Sequence, residues 1–382
     1  MTTAPTADPR ALARAAVGYF GVNGLMVGTW AASLAGLRQR VATNDQGVAI
    51  ALIACGLAAI VTMQIGGRYA DRYGAMLPCQ VGGAVMVVAS GVLGWAPSYP
   101  VLLGAAIVLG AGNGALDVAM NSLGVQAETE RSRPVMSRLH ACFSIGSLGG
   151  AGLVLLTSPL AGDPWPALAL AAVVGTVVLV LIARWHVSSP PRRVSEEAGS
   201  GRRGLPPIAW ALGLMALCFG LSEGTAMDWS AIHVTDVTGV SPGVGAAGLA
   251  AVSASMVAIR LAGDAIVARV GRARVVQVGA LAAAGGYAGI VFVQPLWLVL
   301  LCWLVVGFGV GLVAPQIYAV AGHLGGGRVL AVVTGFGYTA FLAGPALIGF
   351  ASHEFGIQRA MVIPLVTALA LSALAFTRLL HR

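Results

Sequence analysis

The sequence predicts an all-α integral membrane protein with twelve transmembrane helices arranged as two six-helix bundles. Of its 382 residues 58% are apolar and only 9% are charged, whereas soluble domains carry about 25% charged residues. The apolar residues fall into roughly twelve runs, each close to the ~20 residues that a helix needs to cross the hydrocarbon core. A water-soluble globular enzyme is not favoured, because a chain this apolar has too few polar groups to cover its surface.

The twelve runs are predicted spans 1 to 12. Gly, Pro and Arg mark the breaks between them, and the runs lack the two-residue alternation of membrane β-strands. Spans 1 to 6 cover about residues 12–35, 46–66, 76–96, 100–126, 139–160 and 165–185, and spans 7 to 12 cover about residues 207–232, 243–263, 273–293, 295–322, 329–351 and 358–380.

The longest polar stretch of the chain covers residues 186–205. Its Pro, Ser and Gly residues and its mixed charges are typical of a flexible linker. The sequence therefore predicts an N-terminal bundle at residues 1–185, a cytoplasmic linker at 186–205 and a C-terminal bundle at 206–382.

All 22 basic residues are arginines, and they are unevenly placed. If both termini are cytoplasmic, 18 arginines fall on the cytoplasmic side and only Arg38, Arg40 and Arg359 fall on the other, while Arg260 lies near the inner end of span 8. This bias predicts a multi-pass protein of the cytoplasmic (inner) membrane with both termini inside. Nucleic-acid binding is not favoured, because the arginines sit in short gaps between apolar runs.

The two halves of the chain repeat one another at a nearly constant offset of 197–199 residues. Two parallel repeats imply a pseudo-two-fold axis along the membrane normal, with a solute site between the halves at mid-depth. The matching elements are Phe20-Gly21 with Phe219-Gly220, Trp30 with Trp229, Arg72 and Gly74 with Arg269 and Gly271, and Gly110, Gly112 and Gly114 with Gly307, Gly309 and Gly311.

The segment from Gly67 to Gly74, GRYADRYG, resembles the G-x-x-x-D-R-x-G loop signature of the major facilitator superfamily. It stands where that signature is expected, between spans 2 and 3. The resemblance covers essentially the whole chain and implies the fold of that superfamily. It also implies a gate, in which Gly67, Asp71, Arg72 and Gly74 hold the cytoplasmic side shut in the outward-open state. A plain salt bridge in a loop is the alternative.

Span 4 carries a second resemblance. Gly114, Asp117 and Asn121 resemble the G-x-x-acid-x-x-x-Asn pattern of fucose-permease-like symporters, in which the acid of helix 4 is tied to proton coupling. The runs 140–144 and 228–231 resemble a poorly characterised bacterial subgroup related to these permeases. The resemblance does not supply the substrate of that subgroup.

Asp117 lies just past the middle of span 4, where a charge costs about 2.5–3.5 kcal/mol on insertion scales. We therefore expect it to face a water-filled cavity or a partner. A carboxyl withdrawn from water can hold and release a proton near neutral pH. Asn113 and Asn121 lie one turn before and one turn after it on the same face, where they can bind a solute hydroxyl or the protonated acid. The alternative is a structural hydrogen bond between helices.

Three other polar residues lie in spans 1 and 7. Glu223 is a candidate for a second proton or solute site. Asp228, nearer the outer end of span 7, is a candidate for solute binding, or it is a helix-end charge. Asn23 is the one strongly polar residue near mid-depth of span 1, and it can contact solute or bond a neighbouring helix.

Trp30 and Trp229 lie near the outer ends of spans 1 and 7. Anchoring at the membrane interface is one interpretation, and stacking against a sugar ring is the other. Gln316 and Tyr338 either line the cavity or pack against other helices. Pro315 should free a backbone carbonyl inside span 10 and bend the helix.

These observations predict a proton-coupled secondary transporter that moves a small polar, sugar-like solute by alternating access. Its partners are then the solute, protons and the lipid bilayer, with no cofactor or metal ion, and it works as a monomer. Efflux of drugs or metabolites by proton antiport is the alternative within the same fold, and it suits a cavity with few polar residues. A membrane-embedded enzyme or receptor is less favoured, since the sequence has no HExxH, G-x-S-x-G, Walker or His-rich motif.

Overall fold

The computed structural model describes residues 9–131, 135–185, 189 and 206–377. Within these residues the chain forms fourteen α-helices and no strand. The helices are α1 (Pro9–Arg40), α2 (Asp45–Tyr73), α3 (Met76–Trp95), α4 (Tyr99–Arg131), α5 (Met136–Ala161), α6 (Trp165–Arg184), α7 (Pro207–Thr238), α8 (Pro242–Gly245), α9 (Ala247–Val270), α10 (Arg272–Phe292), α11 (Leu296–Val310), α12 (Val313–Phe355), α13 (Ile357–Ala360) and α14 (Val362–Ala375).

Twelve stretches of the described residues are helical, long and apolar enough to cross a membrane, and this confirms the twelve predicted spans. Helices α1 to α7 supply spans 1 to 7, and α10 supplies span 9. The other spans combine or divide helices: α8 with α9 forms span 8 (Pro242–Val270), α11 with the start of α12 forms span 10 (Leu296–Gly322), the rest of α12 forms span 11 (Val329–Phe355), and α13 with α14 forms span 12 (Ile357–Ala375).

Helix α12 reverses direction along its 43 residues. A Cβ atom placed on Gly337 would lie 2.8 Å from the hydroxyl oxygen of Tyr318. In a straight helix these two residues would be about 28 Å apart. The chain therefore turns between them, in the region where the sequence predicts the break between spans 10 and 11.

Span 4 packs closely on spans 2 and 3 through its glycines. A Cβ atom on Gly110 would overlap the carbonyl oxygen of Cys55 in α2, and one on Gly114 would overlap that of Ala59. Gly112 faces α3, where its Cβ position lies 2.8 Å from the carbonyl oxygen of Gly82. Such approaches between backbones are possible only without side chains, so these glycines set the spacing of α2, α3 and α4.

Equivalent glycines play the same part in the second half. A Cβ atom on Gly307 would overlap the side chain of Ser255 in α9, and one on Gly309 would lie 2.7 Å from the carbonyl oxygen of Gly279 in α10. Span 10 thus packs on spans 8 and 9 as span 4 packs on spans 2 and 3. The sequence repeat is therefore also a repeat of helix contacts.

The chain forms two compact units by its internal contacts. Unit 2 contains the second half of the chain together with one end of each of α1 and α2. The predicted linker lies outside the described residues, except for Ser189. Unit 1 is Met1–Ser33, Gln39–Ala42 and Ala54–Val194, and unit 2 is Leu34–Arg38, Thr43–Ile53 and Ser195–Arg382.

Arg38, in unit 2, forms an ionic cluster near the end of α1. Its guanidinium donates two hydrogen bonds to the carboxylate of Asp236 in α7, at 2.8 and 2.5 Å, and another to the carboxylate of Asp45 at the start of α2. The Ser352 hydroxyl of α12 donates to the other oxygen of Asp45. These four residues, here named the Arg38 cluster, tie the ends of α1 and α2 to α7 and α12.

Arg40 makes different contacts, although it follows Arg38 by two residues. It belongs to unit 1, where its guanidinium donates to the backbone carbonyl of Gly94 and, at 3.2 Å, to the carboxylate of Asp163. Two arginines separated by one residue at the end of α1 therefore form their bonds within different units.

Candidate functional site

Three polar side chains lie at one-turn intervals along α4, in unit 1. Asn113, Asp117 and Asn121 are all half-buried. The side-chain amide of Asn121 donates to the backbone carbonyl of Asp117, at 2.9 Å, and to its carboxylate oxygen Oδ1, at 3.3 Å. The structure thus brings Asn121 into contact with the acid that the sequence singles out.

Asn23 of α1 is buried against the same part of α4. Its Nδ2 atom donates to the sulfur of Met120 at 3.6 Å, and Met120 is the chain neighbour of Asn121. Its Oδ1 atom is also buried, and no described residue donates a hydrogen bond to it. An unpaired buried acceptor costs about 1–3 kcal/mol, so a water or a solute hydroxyl that donated to this oxygen would recover that energy.

Asp117 forms no ion pair with any residue that the structure describes. Its carboxylate accepts a hydrogen bond from the amide of Asn121, which is neutral. An ionised Asp117 would therefore carry a charge that no nearby described cation balances, at a depth where such a charge costs about 2.5–3.5 kcal/mol. This arrangement suits a carboxyl that binds and releases a proton.

Glu223 of α7, in unit 2, has a different environment. Its Oε1 atom accepts a hydrogen bond from Nη2 of Arg260 in α9 at 3.0 Å, and the two side chains are only 15% and 12% exposed. Tyr287 and Tyr318 also interact electrostatically with the carboxylate. Removing one partner of a buried ion pair costs about 3–5 kcal/mol, so Glu223 and Arg260 depend on one another.

Arg260 also satisfies a carbonyl group at a break in span 10. Helix α11 ends at Val310 and α12 begins at Val313. Pro315 has no N–H to donate to the carbonyl four residues before it, which is that of Gly311. Nε of Arg260 donates to this carbonyl at 3.1 Å. The freed carbonyl predicted from Pro315 is thereby confirmed, and its partner is a guanidinium.

The other predicted residues of unit 2 lie at different depths of burial. Asp228 is half-buried in α7, and it forms no ion pair among the described side chains. Gln316 is buried in α12, whereas Tyr338 of the same helix is exposed. The solute-binding roles of these three residues stay predictions.

Both tryptophans of the repeat are buried inside the protein. Trp30 is 3% exposed and Trp229 is 0% exposed, so neither indole lies at a lipid-facing surface. The interpretation as interface anchors is therefore wrong, because an anchor must reach the headgroup region. A Cβ atom on Gly349 would lie 3.2 Å from the ring of Trp229, which packs against α12. Contact of Trp30 with a solute stays a prediction.

The signature segment, residues 67–74, lies mostly inside α2 rather than in a loop. Helix α2 continues to Tyr73, and only Gly74 and Ala75 connect it to α3. Gly74 has a φ of +97°, a backbone conformation that residues with a Cβ atom rarely adopt. The sharp connection thus accounts for glycine at the last position of the signature.

The acidic and basic residues of the signature are exposed on the last turn of α2. Asp71 forms no ion pair with a described residue, and the guanidinium of Arg72 lies 5.2 Å from the ring centre of Tyr73. Gly67 faces α4, where its Cβ position lies 3.4 Å from the side chain of Val118. The gating role of this segment stays a prediction.

Ser189, which follows α6, contacts the connection between α2 and α3. Its hydroxyl oxygen accepts a hydrogen bond from the backbone N–H of Ala75 at 3.2 Å and donates to Oε1 of Gln126 at 2.7 Å. A Cβ atom on Gly74 would overlap the Ser189 carbonyl oxygen. Ser189, in the predicted linker, is therefore bonded to the connection that follows the signature segment and to α4.

One further residue belongs to the site around Glu223, although its place in the sequence was interpreted only as an indication of topology. Arg260 lies well inside α9 and is bonded to Glu223 and Gly311. The signal was present in the sequence, since a cation within an apolar helix requires a partner. Among the described residues, no group of His, Cys, Asp or Glu side chains is arranged to hold a metal ion.

Known proteins are similar to this chain over most of its length. A family model described as Major Facilitator Superfamily matches residues 15–341. An uncharacterised MFS-type transporter of Yersinia pestis is 31% identical over 366 residues, which cover 94% of each chain. An uncharacterised transporter of Sinorhizobium fredii is 32% identical over 336 residues, covering 86% of this chain and 88% of that protein. The crystal structure of a mutant of the nucleoside transporter NupG matches with a TM-score of 0.76 at 12% identity, covering 96% of this chain and 98% of that one, and this likeness shows the fold alone.

Proposed function

Because the chain belongs to the Major Facilitator Superfamily, we propose that it is a proton-coupled secondary transporter of a small polar, sugar-like solute. The chain is a transporter and not an enzyme. In the proposal it works as a monomer in the cytoplasmic membrane, with both termini in the cytoplasm. The uneven distribution of arginines supports this orientation.

The environment of Asp117 is the observation that carries the proposal. This carboxyl lies in a membrane span with a neutral amide as its hydrogen-bond donor and no described cation paired with it. A bound proton removes the cost of its charge. Protonation of Asp117 would then shift the balance between conformations that open to opposite sides of the membrane.

The amide groups near Asp117 support a solute that carries hydroxyl groups. Asn121 contacts the acid, and Oδ1 of Asn23 lacks a donor among the described residues. A hydroxyl group both donates and accepts hydrogen bonds, so one polyhydroxylated solute can satisfy several such amides. Glu223 is the second candidate for proton binding, and its charge is balanced by Arg260 in the structure.

A solute panel in proteoliposomes that contain a pH-sensitive dye tests the proposal. With no imposed proton gradient, the addition of a transported solute should change the internal pH, because protons move with it. The panel should include hexoses, deoxyhexoses, polyols and nucleosides. Solute uptake with no change in the internal pH of the proteoliposomes would refute proton coupling.

The variant Asp117→Asn should abolish solute-driven proton movement while it retains folding and solute exchange. The substitution keeps the size of the side chain and removes the group that titrates. Asp163→Asn is the matched control, because Asp163 is bonded to Arg40 beyond the apolar part of the spans. Full proton coupling in Asp117→Asn would remove this residue from the mechanism.

Proton-driven export of drugs or metabolites is the second candidate function. A cavity with few polar residues suits an amphipathic cargo, and the spans contain few such residues. The same dye assay separates the two functions, since antiport of protons changes the internal pH in the opposite direction to symport.

A further inference from the structure

The break between α11 and α12 lies at Gly311 and Leu312. Gly311 has φ and ψ of −57° and −30°, which are close to helical values, whereas Leu312, at −110° and −3°, departs from the values of a regular helix. Gly311 still donates its N–H to the carbonyl of Gly307 at 3.1 Å. The helix also lacks the N–H of Pro315 here, so the carbonyl of Gly311 depends on a donor from outside the helix.

One guanidinium serves two acceptors at this break. Nε of Arg260 bonds the carbonyl of Gly311, and Nη2 of the same side chain bonds the carboxylate of Glu223. The planar guanidinium fixes its donors relative to one another. A guanidinium that turned away from Glu223 would therefore also move its Nε–H away from Gly311.

We propose that Arg260 is a positioning residue that links the charge of Glu223 to the backbone break in span 10. While Glu223 is ionised, its carboxylate holds the guanidinium against the free carbonyl of Gly311. When Glu223 binds a proton, the ion pair is lost, the guanidinium is released, and the break loosens. The use of this link in transport rests on the proposed function, but the link itself does not.

Among the described residues, the titratable groups that interact with Glu223 belong to unit 2. Arg260 approaches from α9, Tyr287 from α10 and Tyr318 from α12. The hydroxyl of Tyr287 is engaged, since it donates to the backbone carbonyl of Ser222. Arg260 is thus the cation that responds when the charge of Glu223 changes.

Hydrogen–deuterium exchange of the purified full-length protein tests this link without solute or proton gradient. We expect Arg260→Gln to raise deuterium uptake of peptides covering residues 305–320 by about twofold or more, because the break loses its side-chain donor. Arg269→Gln, which removes a cation from the last turn of the same helix, is the matched control and should leave this uptake unchanged. Arg260→Lys should give an intermediate result, because an ammonium group lacks the fork of donors.

A double-mutant cycle with Pro315→Ala gives the decisive result. Alanine restores an N–H that can bond the carbonyl of Gly311, so in this background Arg260→Gln should have little effect on uptake at residues 305–320. Equal effects of Arg260→Gln in the two backgrounds would overturn the proposal, because independent sites are additive.

The pH dependence separates a link to Glu223 from a purely structural role of Arg260. After correction for intrinsic exchange rates, uptake at residues 305–320 should rise as the pH falls, and Glu223→Gln should remove this dependence and keep uptake high. Persistence of the pH dependence in Glu223→Gln would contradict the proposal.

If Arg260→Gln fails to fold because it leaves Glu223 unpaired, the double variant Glu223→Gln/Arg260→Gln keeps the site neutral and should show the same high uptake. Transport by the same variants is a separate measurement. A variant that loses the link between Glu223 and Gly311 but keeps proton-coupled transport would show that transport does not use this link.

Discussion

Two carboxyls within membrane spans differ in what balances their charge. Asp117 contacts the amide of Asn121, whereas Glu223 is paired with the guanidinium of Arg260. An amide stabilises either form of a carboxyl, because it can donate to the ion and accept from the acid. A guanidinium only donates and therefore stabilises the ionised form. The two residues are thus suited to different steps of a proton-coupled cycle.

The importance of Asp117 could be predicted from the sequence, whereas for Arg260 the sequence indicates the need for a partner but not which residues supply it. Asp117 belongs to a pattern of residues at helical spacing and lies at a costly depth. Arg260 is one cation in an apolar helix, and its partners are 37 and 51 positions away in the chain. Spacing along one helix gives no information about which side chains of other helices meet it, so this contact required the structure.

Gly114 gives a residue-scale prediction about packing. A Cβ atom at this position would overlap the carbonyl oxygen of Ala59, whereas Gly104 of the same helix has open space around its Cβ position. We expect Gly114→Ala to destabilise the protein by about 1–3 kcal/mol, since α2 and α4 must move apart. The midpoint of thermal unfolding in detergent should fall accordingly.

Gly104→Ala is the control for this prediction. Alanine favours helix over glycine by up to about 1 kcal/mol, so its unfolding midpoint should stay the same or rise. Equal midpoints for the two variants would show that the close approach of α2 and α4 does not limit stability.

At the scale of single elements, helix ends are where prediction from sequence was least complete. The spans were predicted to within several residues, but the signature segment was expected in a loop and lies largely in α2. Its glycines, aspartate and arginine gave no clear stop signal before Gly74. The break before Pro315 was predictable, because proline always lacks an N–H.

The signature segment carries an element-scale prediction about gating. If Asp71 takes part in holding the cytoplasmic side shut, Asp71→Asn should raise the rate at which a membrane-impermeant thiol reagent labels a cysteine introduced at Thr129, near the end of α4. The test requires a background without the five native cysteines. The profile of transported solutes should stay the same, since Asp71 is exposed and lies at the end of α2.

Glu354→Gln is the matched control for Asp71→Asn, because Glu354 is an exposed carboxylate outside the signature and is not a chain neighbour of the reporter. It should leave labelling at Thr129 unchanged. If the cysteine at position 129 is labelled at the same rate with and without the Asp71→Asn substitution, Asp71 does not take part in the gate.

At the scale of the whole molecule, the number of spans and their repeat were predictable, because both follow from hydropathy and from glycine spacing. The contacts of the Arg38 cluster could not be predicted from the sequence. Arg38 and Arg40 look alike in the sequence, yet they are bonded to different units. Which carboxylates they meet depends on helices that lie far apart in the chain.

The Arg38 cluster gives a prediction about the integrity of unit 2. We expect Arg38→Ala to lower stability by about 1.5–3 kcal/mol, because two carboxylates lose a charged hydrogen-bond donor. Combining Arg38→Asp with Asp236→Arg should restore part of this loss, as judged by thermal unfolding. A swap that is no more stable than Arg38→Asp alone would show that the bond between these two residues does not stabilise unit 2.

The break at Pro315 also makes the two halves of the repeat mechanically unequal. At the offset of 197 residues, the position of Pro315 corresponds to Val118, which keeps its N–H, so α4 runs unbroken past Asp117. Span 4 should therefore resist bending, while span 10 yields at Gly311. The two halves match in topology, but span 4 of the first half should be stiffer than span 10 of the second. Any rocking motion should therefore deform the second half first.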